Sequence, residues 1–320
     1  MLSRTADSLY WLARYLERAE NTARLLEVTH TLSLMPVSAD PAAELASALE
    51  ISGATELYRE LHGKLASNPD ADRVLHFFVF ETRNPGSILS CLKAARDNAH
   101  AVRGSITAEV WESVNATWLE MGRLTPEALD DMGAGVFFDR VKERSHLFRG
   151  AAYGTMMRND AFRFMRIGTF IERADNTARL LDFKYSRSGA YGSNGDGNAI
   201  SAADYYQWTA LLRALGAFEA YQAFFHDRVR ADHVAELLIL NPVVPRSLNA
   251  CLREIADILP GIEGDSGRAA KRLAAEMSAA LAWGEITPIL ETGVHDWLND
   301  FLDRIDRLAN AIHGGYLEAT

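Results

Sequence analysis

The chain of 320 residues carries 33 Lys or Arg against 43 Asp or Glu, a formal net charge of −10. That balance argues against a nucleic-acid binder, whose affinity rests on clustered cations that neutralise phosphates, and equally against docking on an anionic membrane. With 48% hydrophobic and 24% charged residues, the composition is that of a folded soluble protein long enough for one large core or two ordinary domains.

The first predicted element is a long helix. Leu9, Leu12, Leu16, Ala19, Ala23 and Leu26 recur every three or four residues, which puts an apolar stripe on a helix from about residue 4 to residue 31. The same amino terminus lacks the uninterrupted apolar stretch and small-residue cleavage site of a signal peptide. Ser33 to Pro41 reads as a Pro-bounded connection. Further on, Asn84 before Pro85 predicts a helix start with an Asn cap, and Thr125 before Pro126 predicts another. None of the 9 prolines lies between Pro126 and Pro242, so residues 127–241 can run as long helices. Ser186 to Asn198, SRSGAYGSNGDGN, reads as an exposed Gly/Ser-rich loop. The longest apolar run, Val234 to Val244, is broken by Glu236, Asn241 and Pro242, well short of a membrane span. No segment alternates apolar and polar residues with strand character. The expectation is an all-α, cytoplasmic protein. Cys91 and Cys251 sit in no ligand spacing and read as small buried hydrophobes.

Compared with itself, the chain is doubled. Residues 17–26 read ERAENTARLL and residues 172–181 read ERADNTARLL, identical at nine of ten positions. Pro85, Ser87, Cys91 and Leu92 are echoed by Pro245, Ser247, Cys251 and Leu252, and Phe138-Asp139-Arg140-Val141 resembles Leu302-Asp303-Arg304-Ile305. This predicts a pseudo-two-fold helical bundle of two tandem copies, residues 1–153 and 154–320, each a roughly five-helix unit, packed as one globular body.

On the first helix, Arg14, Glu17, Asn21 and Arg24 follow spacings of 3, 4 and 3, a polar stripe beside the apolar one; the second copy reads Thr169, Glu172, Asn176 and Arg179. Arg18 and Arg173 lie one step round the helix. Three readings are open: a buried network that fixes how the halves pack, a ligand clamp made of Glu and Arg side chains, or an exposed salt-bridged face. Glu27/His30 and Glu143/His146 share the ExxH spacing of di-iron bundles, yet two such pairs are close to what composition alone produces, and no metal or other cofactor is expected. The row Asp296, Asp300, Asp303, Asp306 reads as a solvated helix face. Arg83, at the Asn84-Pro85 helix start, with Arg96 and Arg103 on one face, forms a candidate anion site. No phosphate loop, nucleophile elbow or HExxH motif marks a nucleophile or cofactor.

The segments MLSRTADSLYWLARYLERAENTARLL, RNPGSILSCLKAARDNAHAVRGSITAEVWESVN and FRGAAYGTMMRNDAFRFMRIGTFIERADNTARLLD resemble the bacterial alpha-E domain family over essentially the full length. The resemblance puts the family's Glu-Arg motif on Glu17-Arg18 and Glu172-Arg173, and departs from it at Asp160-Ala161-Phe162, where a Glu and a Trp are expected. It implies an all-helical protein found beside circularly permuted ATP-grasp amide ligases and transglutaminase-like peptidases. The expected role is an accessory or substrate-handling partner of such a ligase in peptide synthesis or modification. Alternatives are an enzyme of that pathway using Glu17 and Glu172 as acid/base groups, and a metal-binding helical protein. The expected partners are the ligase or its peptide substrate, and self-association into a homo-oligomer stays open.

Overall fold

A computed structural model describes residues 1–33, 41–63, 71–187, 202–263 and 267–318. Their regular structure is entirely helical. Eight helices precede residue 156: α1 (Ser3–Ser33), α2 (Pro41–Ile51), α3 (Thr55–His62), α4 (Ala71–Val79), α5 (Ile88–Ala101), α6 (Ala108–Met121), α7 (Pro126–Met132) and α8 (Ala134–Thr155). Eight follow: α9 (Asp160–Arg187), α10 (Ala202–Ala214), α11 (Phe218–Phe225), α12 (Ala231–Ile239), α13 (Leu248–Ile258), α14 (Arg268–Ala282), α15 (Ile286–Thr292) and α16 (Val294–Ile312). The described residues thus hold more helices than the five per copy expected. The extra ones, such as α3 and α15, span only two turns, too short for a 3.6-residue period to register in a sequence.

The long helices α1 and α9 pack against each other at the centre. α1 also rests on α5 and α8, and α9 on α13 and α16. The stripe Leu9, Leu12, Leu16, Ala19, Ala23 and Leu26 is buried as its spacing requires, and one hydrophobic cluster runs from Ala6 to Leu317 through both parts of the chain. Each fully buried leucine contributes about 1.5–3 kcal/mol. The central helices approach closely because Gly168 has no side chain. A Cβ there would lie 2.3 Å from the Tyr10 carbonyl oxygen.

Helix starts follow local capping chemistry. Thr125 caps α7 as its sequence predicts, its hydroxyl oxygen accepting from the Ala128 amide at 3.2 Å. Asn84 does not cap a helix. It forms a turn, accepting from the Gly86 amide at 2.9 Å, and α5 begins at Ile88 with Ser87 as its cap. Ser247 caps α13 in the same manner. Cys91 and Cys251 are fully buried, each thiol directed at a proline carbonyl, Pro85 and Pro245. Burial pushes both thiols up to about 12, consistent with inert core residues. The Ser186–Asn198 segment begins within α9; its remainder, like residues 34–40 of the Ser33–Pro41 connection, lies outside the described residues. Among the described residues, no helix is long and apolar enough to cross a membrane.

Candidate functional site

The two Glu-Arg motifs meet across the α1/α9 contact and exchange partners. Arg173 on α9 donates from Nε and Nη2 to the two carboxylate oxygens of Glu17 on α1, at 2.9 and 3.0 Å. Arg18 on α1 donates likewise to Glu172 on α9, at 2.5 and 2.9 Å, and Arg14 adds a third bond to Glu172 at 2.8 Å. Such two-pronged pairs use the planar match between guanidinium and carboxylate. Glu17 is 1% exposed and Glu172 5%, so removing either arginine partner would strand a charge out of water.

More distant segments close the network around Glu20. Arg246, preceding the Ser247 cap, reaches Glu20 and Asn21 at 2.8 Å each and stands 3.0 Å from Glu17. From α8, Arg149 donates through one nitrogen to Glu20, Glu17 and Ser145, while Ser145 donates to Glu20 at 2.7 Å. Arg24 pairs with Glu20 at 2.9 Å, as Arg179 does with Asp175. The repeated threonines have matching partners: Thr22 donates to the Gly86 carbonyl at 3.4 Å, Thr177 to the Arg246 carbonyl at 2.8 Å.

These contacts set the protonation of the buried acids. Burial alone would raise the Glu17 carboxyl, but Arg173 and Arg246 reverse that and hold it below its ordinary value. Burial acts on Glu172 in the same direction and is overcome by Arg18 and Arg14. Glu20 is held well below the usual range, burial being outweighed by hydrogen bonding to His146 and by the Arg246 and Arg149 charges. Asp175 departs from this pattern: its burial outweighs Arg179 and pushes its carboxyl up. All three network glutamates are therefore anionic near neutral pH.

The structure gathers Glu17, Arg18, Asn21, Arg24, Glu172 and Arg173 into this network. Asn176 is half-buried at its edge, and Arg179 pairs apart from it with Asp175. Arg83, Arg96 and Arg103 take three separate partners: Glu81, the Asn115/Asp97 pair and the Trp111 ring. With α5 starting beyond Gly86, no helix N-terminus lies at Arg83. Glu27 pairs with Lys142 and Glu143 with Arg140, so the ExxH acids face cations. The acidic row on α16 is exposed throughout. Sequence spacing missed Glu20, Arg149 and Arg246 as network members. Arg246 could have been found as a departure from the repeat, since Gly86 holds its place in the first copy.

Beside the network, α8 and α9 enclose a cleft of about 150 Å³. Arg149 and Arg173 reach it from the network and Arg166 from α9, and among the described residues no carboxylate lines it.

No curated protein and no solved structure matches the chain. A family model described as a predicted alpha-helical domain with a conserved ER motif matches residues 1–317. The chain therefore belongs to the Alpha-E family.

Proposed function

We propose that the protein is a non-catalytic, substrate-handling partner of an ATP-grasp amide ligase, and that its doubled ER motif is a brace between two pseudo-two-fold related halves. One observation carries the reading: both ER glutamates are buried, ionised and committed to arginines of the opposite helix. A general acid needs a carboxyl that can hold a proton near the working pH and reach a substrate. Glu17 and Glu172 are held in the opposite condition. The matched contacts of Thr22 with Thr177, Ser87 with Ser247 and Cys91 with Cys251 support the two-fold relation. Association with a ligase, and a peptide as the molecule handled, rest on what the family resemblance implies.

Co-purification with the neighbouring ligase tests the partner role. The expected result is a stable complex and a ligase turnover that changes when this chain is added. Absence of a complex together with unchanged turnover would overturn it.

A further inference from the structure

We propose that the cleft between α8 and α9 is a binding site for an organic carboxylate, held by Arg149 and Arg166, with the carbon portion lying against the rings of Tyr153, Phe162 and Phe170. This goes beyond the partner role above and does not depend on it. Charge provides the first support. Six guanidinium groups, those of Arg14, Arg18, Arg24, Arg149, Arg173 and Arg246, pair with three carboxylates, Glu17, Glu20 and Glu172, and Asp175 acts on Arg14 and Arg18 as a fourth acid. An excess of cations in a largely buried cluster calls for an anion, since uncompensated charge out of water is costly.

Free donors on the cleft wall provide the second support. Arg149 makes its three side-chain bonds through one nitrogen, which leaves Nε and Nη2 without a partner among the described residues. Arg166 gives Nη2 to Glu254, while its Nε is buried with no partner. Its guanidinium lies 4.7 Å from the centres of both the Tyr153 and Phe170 rings, so a planar cation is already fixed beside apolar surface.

Comparison of the two copies explains why the space exists. Thr169 occupies the repeat position of Arg14. Arg14 fills that place in the first copy with a guanidinium 4.7 Å from the Trp11 ring centre and bonded to Glu172. The shorter Thr169 leaves the equivalent place open, and it lines the cleft.

The lining favours carboxylate over phosphate. A phosphate site draws on several backbone amides at a helix start. The nearby start of α9 has its Ala161 and Phe162 amides taken by Asn159 Oδ1, and it carries Asp160 in its first turn. Two guanidinium edges beside aromatic rings suit a planar monoanion with an apolar neighbour. Tyr153, on the cleft wall, is half exposed, and a longer ligand would continue past it.

The test is calorimetric titration of the full chain with 3-phenylpropionate, with its amide 3-phenylpropanamide, and with inorganic phosphate. The acid should bind, and the amide at least about tenfold more weakly, as loss of a charge-assisted contact implies. Arg166→Met, outside the ER brace, should weaken the acid about tenfold or more in a protein that still unfolds cooperatively on heating. Thr169→Arg, which copies Arg14 and fills the cleft, should abolish binding. Gly-Gly-Phe against its C-terminal amide then separates a peptide terminus from a small free acid as the source of the carboxylate. Failure of the acid to bind at about 10 mM, equal binding of acid and amide, tighter binding of phosphate, or full binding by a folded Thr169→Arg variant would each overturn the site.

Discussion

Arg173 spans the α1/α9 contact to hold both oxygens of Glu17, and Arg18 returns the same grip on Glu172 from the other helix. Each helix thus supplies an acid to the other and takes arginines from it in return, with Arg14 as a second base from α1, so the Glu and Arg of each motif pair across the contact and not with each other.

Breaking one such pair should cost much more than breaking an exposed one. Glu17→Gln leaves Arg173 without its carboxylate, and Arg246 with Glu20 alone, in a site where Glu17 is 1% exposed. The expected loss is about 3–5 kcal/mol, read from urea unfolding midpoints. Arg179→Ala, which removes the partly exposed pair with Asp175, should cost about 1 kcal/mol or less. Comparable losses for the two variants would contradict a bracing role for the ER motif.

Stability should fall on acidification. Glu17, Glu20 and Glu172 have folded values below their ordinary 4.5. A group depressed in this way contributes stability that is fully present above its unfolded value and is lost as pH falls through the folded one. Asp175, held above its ordinary 3.8 by burial, acts in the opposite sense and offsets part of the loss. Unfolding midpoints should therefore change little from about pH 5 to 7 and drop below about pH 4.5. Glu172→Gln should flatten that acid limb while lowering stability at neutral pH. An acid limb equally steep in this variant would place the titrating groups elsewhere.

The close approach of the central helices is testable at one atom. Gly168→Ala puts a methyl 2.3 Å from the Tyr10 carbonyl oxygen, and backbone on both sides leaves no flexible group to yield. The expected cost is about 1–3 kcal/mol, from overpacking. Gly150→Ala on α8 meets nothing within 4 Å and should be neutral, or stabilising by up to about 1 kcal/mol through helix propensity. Thermal unfolding of the two variants gives the comparison, and a neutral Gly168→Ala would mean that the helices separate more easily than their packing implies.

Periodicity and repetition made part of this architecture legible. The apolar stripe of α1 fixed that helix to within a residue or two, because a 31-residue element gives many turns over which the period can register. Identity of the two ER segments marked Glu17, Arg18, Glu172 and Arg173 as constrained. It could not tell that each arginine serves the other copy's glutamate, since pairing across helices leaves no spacing in the chain. Arg149 and Arg246 were hidden for the same reason, lying 129 and 226 residues from Glu20, their shared partner. The start of α5 was misplaced because two capping signals competed within four residues. Ser87 captured the helix while Asn84 turned back on the Gly86 amide.

If the ER motif braces two equivalent halves, separating them should expose the dependence directly. Residues 1–153 alone would carry Glu17 and Glu20 without Arg173 or Arg246, and residues 154–320 would carry Glu172 without Arg14 or Arg18. Each piece would also expose the α1 or α9 face that lies within the single hydrophobic cluster. Loss of that apolar burial together with unpaired buried charge should leave each piece aggregated or without fixed tertiary packing when made singly. Co-expressed, the pieces should recover a soluble one-to-one complex, because the ion pairs and the apolar face are complementary. Near-ultraviolet circular dichroism and size-exclusion chromatography of the singles and the mixture read the outcome. Two pieces that each fold cooperatively and fail to associate would show that the reciprocal pairs join two independent domains, and the bracing role would fall.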